Sequence, residues 1–148
     1  MTIREFTAAD YKAAHTLWWN TKGVCNCDKC TELDSEANLG RFMKRNPNSC
    51  FIAEKDGTLV GTILAGHDGR TGLIYRLTVA EESREKGIGR ALVEKSVEAL
   101  KREGIMSVTA FVLKENETGN AFWEKIGFID DGRAATRSLK LTRSSKNE

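Results

Sequence analysis

The chain predicts an α/β fold, a mixed sheet with helices on both faces, and three observations carry that prediction. Short apolar runs of strand length alternate with amphipathic stretches of helix length. The glycine turns Lys55-Asp56-Gly57 and Asp68-Gly69-Arg70-Thr71-Gly72 join three successive strands into an antiparallel meander. One long helix then falls between two strands, a crossover that makes those two strands parallel.

Residues 3–6 open the chain as a short strand. Thr7, with Asp10 three places on, reads as a capping box for a helix over 8–19, where Tyr11, Ala14, His15, Trp18 and Trp19 recur at helical spacing. Residues 21–33 are irregular and hold three of the four cysteines. Asp34 or Ser35 caps a second helix through Leu39, Phe42 and Met43, which Asn46-Pro47-Asn48 ends. Strands follow at 50–54, 58–65 and 73–79. The strongest helix runs over 87–102 and stops at Gly104; a strand over 107–113 and a short helix over 118–125, ended by Gly127, come next. Residues 128–129 and 135–142 read as a closing hairpin. The predicted order is therefore β-α-α-β-β-β-α-β-α-β-β.

The 148 residues fit one domain, 1–143, with 144–148 as a disordered tail. Forty per cent apolar and 30% charged residues exclude wholesale disorder. With 23 basic against 21 acidic residues and no one-sided basic stripe, no nucleic-acid partner is expected. No window approaches the ~18 apolar residues of a membrane span, so no membrane partner is expected either. The first residues lack a signal peptide's apolar core, which points to the cytoplasm and to cysteines that are thiols or ligands, not disulfides.

The sharpest local signal is Arg84-Glu85-Lys86-Gly87-Ile88-Gly89-Arg90, between a strand and the long helix. Two glycines at i and i+2 bare the backbone where a helix begins, leaving free N–H groups with the positive end of the helix dipole behind them. That suits a phosphate or pyrophosphate, and Arg84, Lys86 and Arg90 add positive charge. It is neither a Walker loop nor a dinucleotide fingerprint, since the Gly-Lys-Ser/Thr ending and the third glycine are absent.

The run Arg84-x-x-Gly87-x-Gly89 after Leu77-Thr78-Val79 resembles the acyl-CoA signature of the GNAT superfamily of N-acyltransferases. A second motif, Asn116, Gly119, Phe122-Trp123 and Gly127-Phe128, is similar to that family's later motif. Residues 61–69, with Tyr75 and the glycine turn, resemble its small YpeA-like bacterial acetyltransferases. The resemblance covers about residues 2–142 and implies a splayed, mostly antiparallel sheet with acetyl-CoA as co-substrate. It implies that the backbone of Leu77, Thr78 and Val79 pairs with the pantetheine arm, and that Arg84, Glu85, Lys86, Gly87, Ile88, Gly89 and Arg90 hold the pyrophosphate. Asn116, Phe122 and Trp123 would line the cofactor groove. The implied reaction is direct attack of a primary amine on the thioester, the amine being a small molecule or, alternatively, a protein N-terminus or lysine.

Trp123 stands where the family usually has a tyrosine general acid, and an indole N–H is a donor but not a useful acid. Tyr75 is the replacement considered: spacing places it on the same strand face as Leu77 and Val79. A buried structural tyrosine is the competing reading. Cys25-x-Cys27-x-x-Cys30, with Cys50 alone elsewhere, are free thiols by default and a metal site by alternative. That alternative admits a different class of function, an acyl-CoA-binding metal or redox sensor. The acidic residues Asp28, Glu32, Asp34 and Glu36 lie nearby, and the closing strands offer an edge for a homodimer.

Overall fold

A computed structural model describes residues 1–141. Five strands, β1 (Thr2–Glu5), β2 (Phe51–Lys55), β3 (Thr58–His67), β4 (Gly72–Val79) and β5 (Val108–Ala110), form one sheet in that spatial order. Neighbours pair antiparallel except β4 with β5, which run parallel. The crossover between those two is α4 (Ile88–Arg102), as the sequence pattern requires. The other helices are α1 (Tyr11–Trp19), α2 (Asp28–Leu33), α3 (Glu36–Arg45) and α5 (Glu117–Lys125). Among the described residues no helix is long and apolar enough to cross a membrane.

The helices divide between the two faces, and each face has its own core. Ala14 and Trp18 of α1 and Leu39 of α3 pack on Ile52 and Leu64. On the other face Ile88, Leu92, Val93, Ala99 and Leu100 of α4, with Trp123 of α5, pack on Ala53, Ile63, Ala65 and Ile74. Burying side chains of this size contributes about 1.5–3 kcal/mol each, so the two apolar layers supply most of what opposes chain entropy.

Three expectations are corrected. Residues 28–33 form a helix, α2, where an irregular stretch was expected. The closing hairpin is absent: no described residue after Lys125 is in a strand, and Thr142 lies outside the described residues, as does the 144–148 tail. The alternation that suggested a strand there has no surface to bury against, since Leu139 and Leu141 are 84% and 89% exposed. Asp130 and Asp131 instead accept from the N–H groups of Gly132 and Arg133 at 2.8 and 3.0 Å, which curls the segment into local turns. The strand expected over 107–113 likewise shortens to Val108–Ala110.

The expected start of the first helix is in place. The Asp10 carboxylate accepts from the Thr7 N–H at 2.8 Å and from its hydroxyl at 3.0 Å, and it receives both Arg4 Nη groups at 2.8 Å. Arg4 also donates to Glu54 of β2, so this network ties β1, β2 and the helix entry together. The Arg4 hydrogen bonds hold the Asp10 carboxyl below the usual carboxylate range. A depressed folded-state pKa stabilises the protein above the unfolded carboxyl pKa, about 4, and is lost as pH falls through the folded value. Asp10→Asn should therefore cost about 1–2 kcal/mol at neutral pH and flatten the acid limb of stability, measured by urea denaturation between neutral and acid pH.

Candidate active site

The sheet parts beside β4. Its pairing with β5 covers only Gly72, Leu73 and Ile74, opposite Val108, Thr109 and Ala110. Beyond Ile74 the remainder of β4 has no strand partner on that side among the described residues. The Ala80 N–H turns toward β3, bonding to the Val60 carbonyl at 2.9 Å. The Val79 carbonyl turns the other way and accepts from Arg84 Nε at 3.1 Å. By antiparallel alternation the N–H groups of Val79 and Leu77 then face the gap. They form an open strand edge of the kind an extended ligand can pair with.

A β-bulge divides this strand. Leu64 opposes Tyr75 and Thr62 opposes Thr78, so two steps on β3 span three on β4, and Arg76 takes a φ of 50° to within a degree, at 49°. Opposed residues share a face. Ile74, Leu77 and Val79 accordingly join the core under α4, while Tyr75 meets Phe42 of α3 edge-on at 6.0 Å. This corrects the expected placement of Tyr75 on the face of Leu77 and Val79: one extra residue reverses the side-chain alternation between them.

The bulge is held by a buried polar chain. Trp18, with no exposed surface, donates from Nε1 to Thr62 Oγ1 at 2.9 Å, and that hydroxyl donates to the Arg76 carbonyl at 2.8 Å. The Arg76 guanidinium lies over the rings of Trp18 and Trp19, 5.1 and 5.4 Å from their centroids. Its Nε donates to Asp34 Oδ2 at 2.6 Å and its Nη1 to Asn26 Oδ1 at 3.2 Å. Nη2 is as close to Asp34 but off-line for a hydrogen bond, which leaves it without a partner in a side chain only 7% exposed.

The glycine turn is a nest of free amides. A 3-10 turn over Glu81–Ser83 leads in, and Glu85 and Gly87 both take positive φ, 60° and 80°, on either side of Lys86. The first N–H to find a backbone acceptor is that of Ala91, on the Gly87 carbonyl at 3.0 Å. The six amides of residues 85–90 have no partner among the described residues. Alternating positive and negative φ turns such amides toward one point, and α4 adds its positive end. Lys86 and Arg90 stand at the rim; Lys86 Nζ bonds to the Glu82 carbonyl and Arg90 pairs with Glu94 at 2.9 Å.

At Gly89, α4 meets the end of β4. A Cβ there would lie 3.4 Å from the Phe122 ring and 3.7 Å from Val79 Cγ2, so Val79, Gly89 and Phe122 are brought together. Asn116 caps α5, its Oδ1 accepting from Gly119 N–H at 2.9 Å, which leaves Nδ2 free to donate. Gly119 is bare because a Cβ would run into that side chain. Trp123 does not join this edge: it is buried in the core with its ring against Phe122 and Phe128, at 5.3 and 4.7 Å.

Tyr75 stands where the sheet parts. It is 38% exposed, its ring lies 6.2 Å from that of Phe111 across the gap, and its hydroxyl has no partner among the described residues. Partial burial raises its pKa, so the phenol keeps its proton at neutral pH. The acidic residues expected at the mouth are largely occupied, Asp34 by Arg76 and Glu32 by Lys140 at 2.9 Å. Sequence reasoning missed Arg76 and its partner Asn26. The available signal was an arginine inside an apolar run, with Ile74, Leu77 and Val79 spaced three and then two apart.

The profile of the Acetyltransferase (GNAT) family matches residues 11–128. The chain belongs to the GNAT acetyltransferase family. An acetyltransferase of Photorhabdus laumondii is 31% identical over 131 residues, covering 88% of this chain and 87% of the relative. One of Pectobacterium atrosepticum is 29% identical over 132 residues, covering 86% and 87%. The fold matches Ard1 from Thermoplasma volcanium at a TM-score of 0.72 and 22% identity, over 85% of this chain and 80% of that one. It matches the PaiA N-acetyltransferase from Thermoplasma acidophilum, solved with coenzyme A, at 0.71 and 22%, over 85% and 87%. As a GNAT protein the chain is an N-acetyltransferase with acetyl-CoA as co-substrate. The donor set fits that co-substrate: converging amides suit an anionic diphosphate, and the open strand edge suits an amide-bearing arm.

Replacing Gly89 by valine crowds Phe122 and covers the free amides. Calorimetric titration should show acetyl-CoA affinity falling about tenfold or more, equivalent to about 1.4 kcal/mol, while the melting temperature changes little. An unaltered affinity would remove the turn from the binding site.

Proposed function

We propose that this GNAT enzyme acetylates a small primary amine by direct attack within a ternary complex, with Tyr75 as the residue that protonates the departing thiolate. The observation that carries the small-acceptor reading is the segment between α1 and α3, which is bonded to β4 and packs against the start of α5. Asn26 and Asp34 hold it to Arg76 on β4, and Gly23 lies against the Asn116 side chain at the start of α5. A pinned loop in that position favours a compact acceptor over an extended polypeptide. Solved relatives do not separate the two: the fold matches Naa20 of Chaetomium thermophilum and an aminoglycoside 6'-N-acetyltransferase of Acinetobacter haemolyticus with TM-scores of 0.71 and 0.73, at 21% and 14% identity.

Acetyl-CoA supplies an activated acetyl thioester. In this reading the amides of residues 85–90 hold its diphosphate, Leu77 and Val79 align its arm, and the Asn116 amide donates to it. A gap-facing backbone N–H polarises the carbonyl under attack, a fixed dipole that needs no reorganisation. Phe122 closes the side of the groove at Gly89. The acceptor must arrive neutral, since an alkylammonium, pKa about 10, has no lone pair to offer. The proton its nitrogen loses on becoming an amide passes to solvent and replaces the one Tyr75 gives to the sulfur. Tyr75 suits the proton-donor role because it stands where the sheet parts, its neighbours Phe42 and Phe111 hold the ring, and its hydroxyl is uncommitted. Trp123 packs beneath the groove instead of donating into it.

The test is a panel of amines screened with acetyl-CoA, followed by Tyr75→Phe on the best acceptor. That variant should lower kcat about 100-fold with acetyl-CoA affinity unchanged by calorimetry. Full turnover with the same acceptor would rule Tyr75 out, and preferential turnover of N-terminal peptides would overturn the small-acceptor reading.

A further inference from the structure

We infer that Cys25, Cys27 and Cys30 form a three-thiolate site for a thiophilic d10 cation such as Zn²⁺ or Cd²⁺, with a fourth coordination position open to solvent. Their sulfurs converge in a closed triangle, 3.4 Å from Cys25 to Cys27, 3.3 Å from Cys27 to Cys30 and 3.2 Å from Cys30 to Cys25. Among the described residues no other His, Cys, Asp or Glu joins the cluster. Thiol–thiol hydrogen bonds are weak and do not account for the convergence of three flexible side chains on one point. A tetrahedral ion with metal–sulfur bonds of about 2.3 Å places its sulfurs about 3.8 Å apart, so the triangle needs to open by only about half an ångström.

The chemistry and placement agree. Soft thiolates select soft ions over oxygen-preferring cations. Cys27 is exposed and Cys25 and Cys30 are partly so, which gives an ion access from solvent and leaves room for a fourth ligand. Binding is a simple exchange: three thiols and a dication give a trithiolate complex of net charge minus one, with three protons released to buffer and no change of oxidation state.

The site's position gives it a structural consequence. Asn26, between the first two cysteines, donates to the Trp18 carbonyl at 3.0 Å and accepts from Arg76. An ion joining Cys25, Cys27 and Cys30 therefore cross-links the loop that Asn26 bonds to Arg76.

The full chain, reduced with a phosphine and kept under argon, is titrated with Cd²⁺ and separately with Zn²⁺. The Cd²⁺ arm is read by thiolate-to-metal charge-transfer absorption, both arms by the thiols left reactive and by amide exchange in residues 22–34. Saturation at one ion per chain is expected, with three of the four thiols protected. Cys50→Ala should keep this behaviour, because Cys50 is buried in the core away from the triangle. Cys27→Ser should abolish the band and weaken retention at least 100-fold, while still binding acetyl-CoA as evidence that it is folded; Cys25→Ser serves if it is not. No saturable band, a band that survives Cys27→Ser and Cys25→Ser, or a disulfide with no ion retained would each overturn the site.

Discussion

One extra residue in β4 determines how the rest of the site is arranged. The bulge at Arg76 is energetically awkward, since a non-glycine residue at positive φ is disfavoured by about 1–2 kcal/mol. It persists because its surroundings over-determine it. Its carbonyl is held by Thr62, Thr62 by the wholly buried Trp18, and its guanidinium by two indole faces, Asn26 and Asp34. A buried arginine without its carboxylate leaves an uncompensated charge, typically 3–5 kcal/mol of destabilisation, so Asp34 and Arg76 stay together. The pair thereby fixes the end of α2 against the sheet.

The separation of tasks around β4 follows from that bulge. Leu77 and Val79 lay their side chains toward α4 and expose amides to the gap, while Tyr75 looks toward α3. The donors left free are mostly backbone, the edge of β4 and the nest before α4. Such donors are rigid and need no side-chain ordering on binding. Side-chain chemistry gathers on the opposite face, where Tyr75, Arg76 and the cysteine loop meet. A strand that changes faces at one residue can thus serve a phosphate-bearing cofactor on one side and a second substrate on the other.

Local chemistry made much of this legible in the sequence. Gly87 stands where the chain needs positive φ, Asp10 returns to Thr7 as the capping spacing requires, and the apolar face of α4 lies against the sheet. What was not legible depended on distant partners. Residues 73–79 alternate acceptably in either register, and only Thr62 and Trp18, far away in the chain, select the bulged one; hence Tyr75 was expected on the wrong face. The six-residue α2 is too short to show a helical period. Residues 135–142 showed the opposite failure, a strand-like alternation with no apolar surface to receive it. Trp123, expected in the groove from its motif position, lies in the core against Phe122, which flanks Gly89.

The most direct measurement is residue-resolved amide hydrogen exchange of the full chain with and without coenzyme A. Exchange should slow at the amides of residues 85–90 and at Leu77 and Val79, with no comparable change along α3. Protection that bypasses the nest, or that falls instead along α3, would contradict the account.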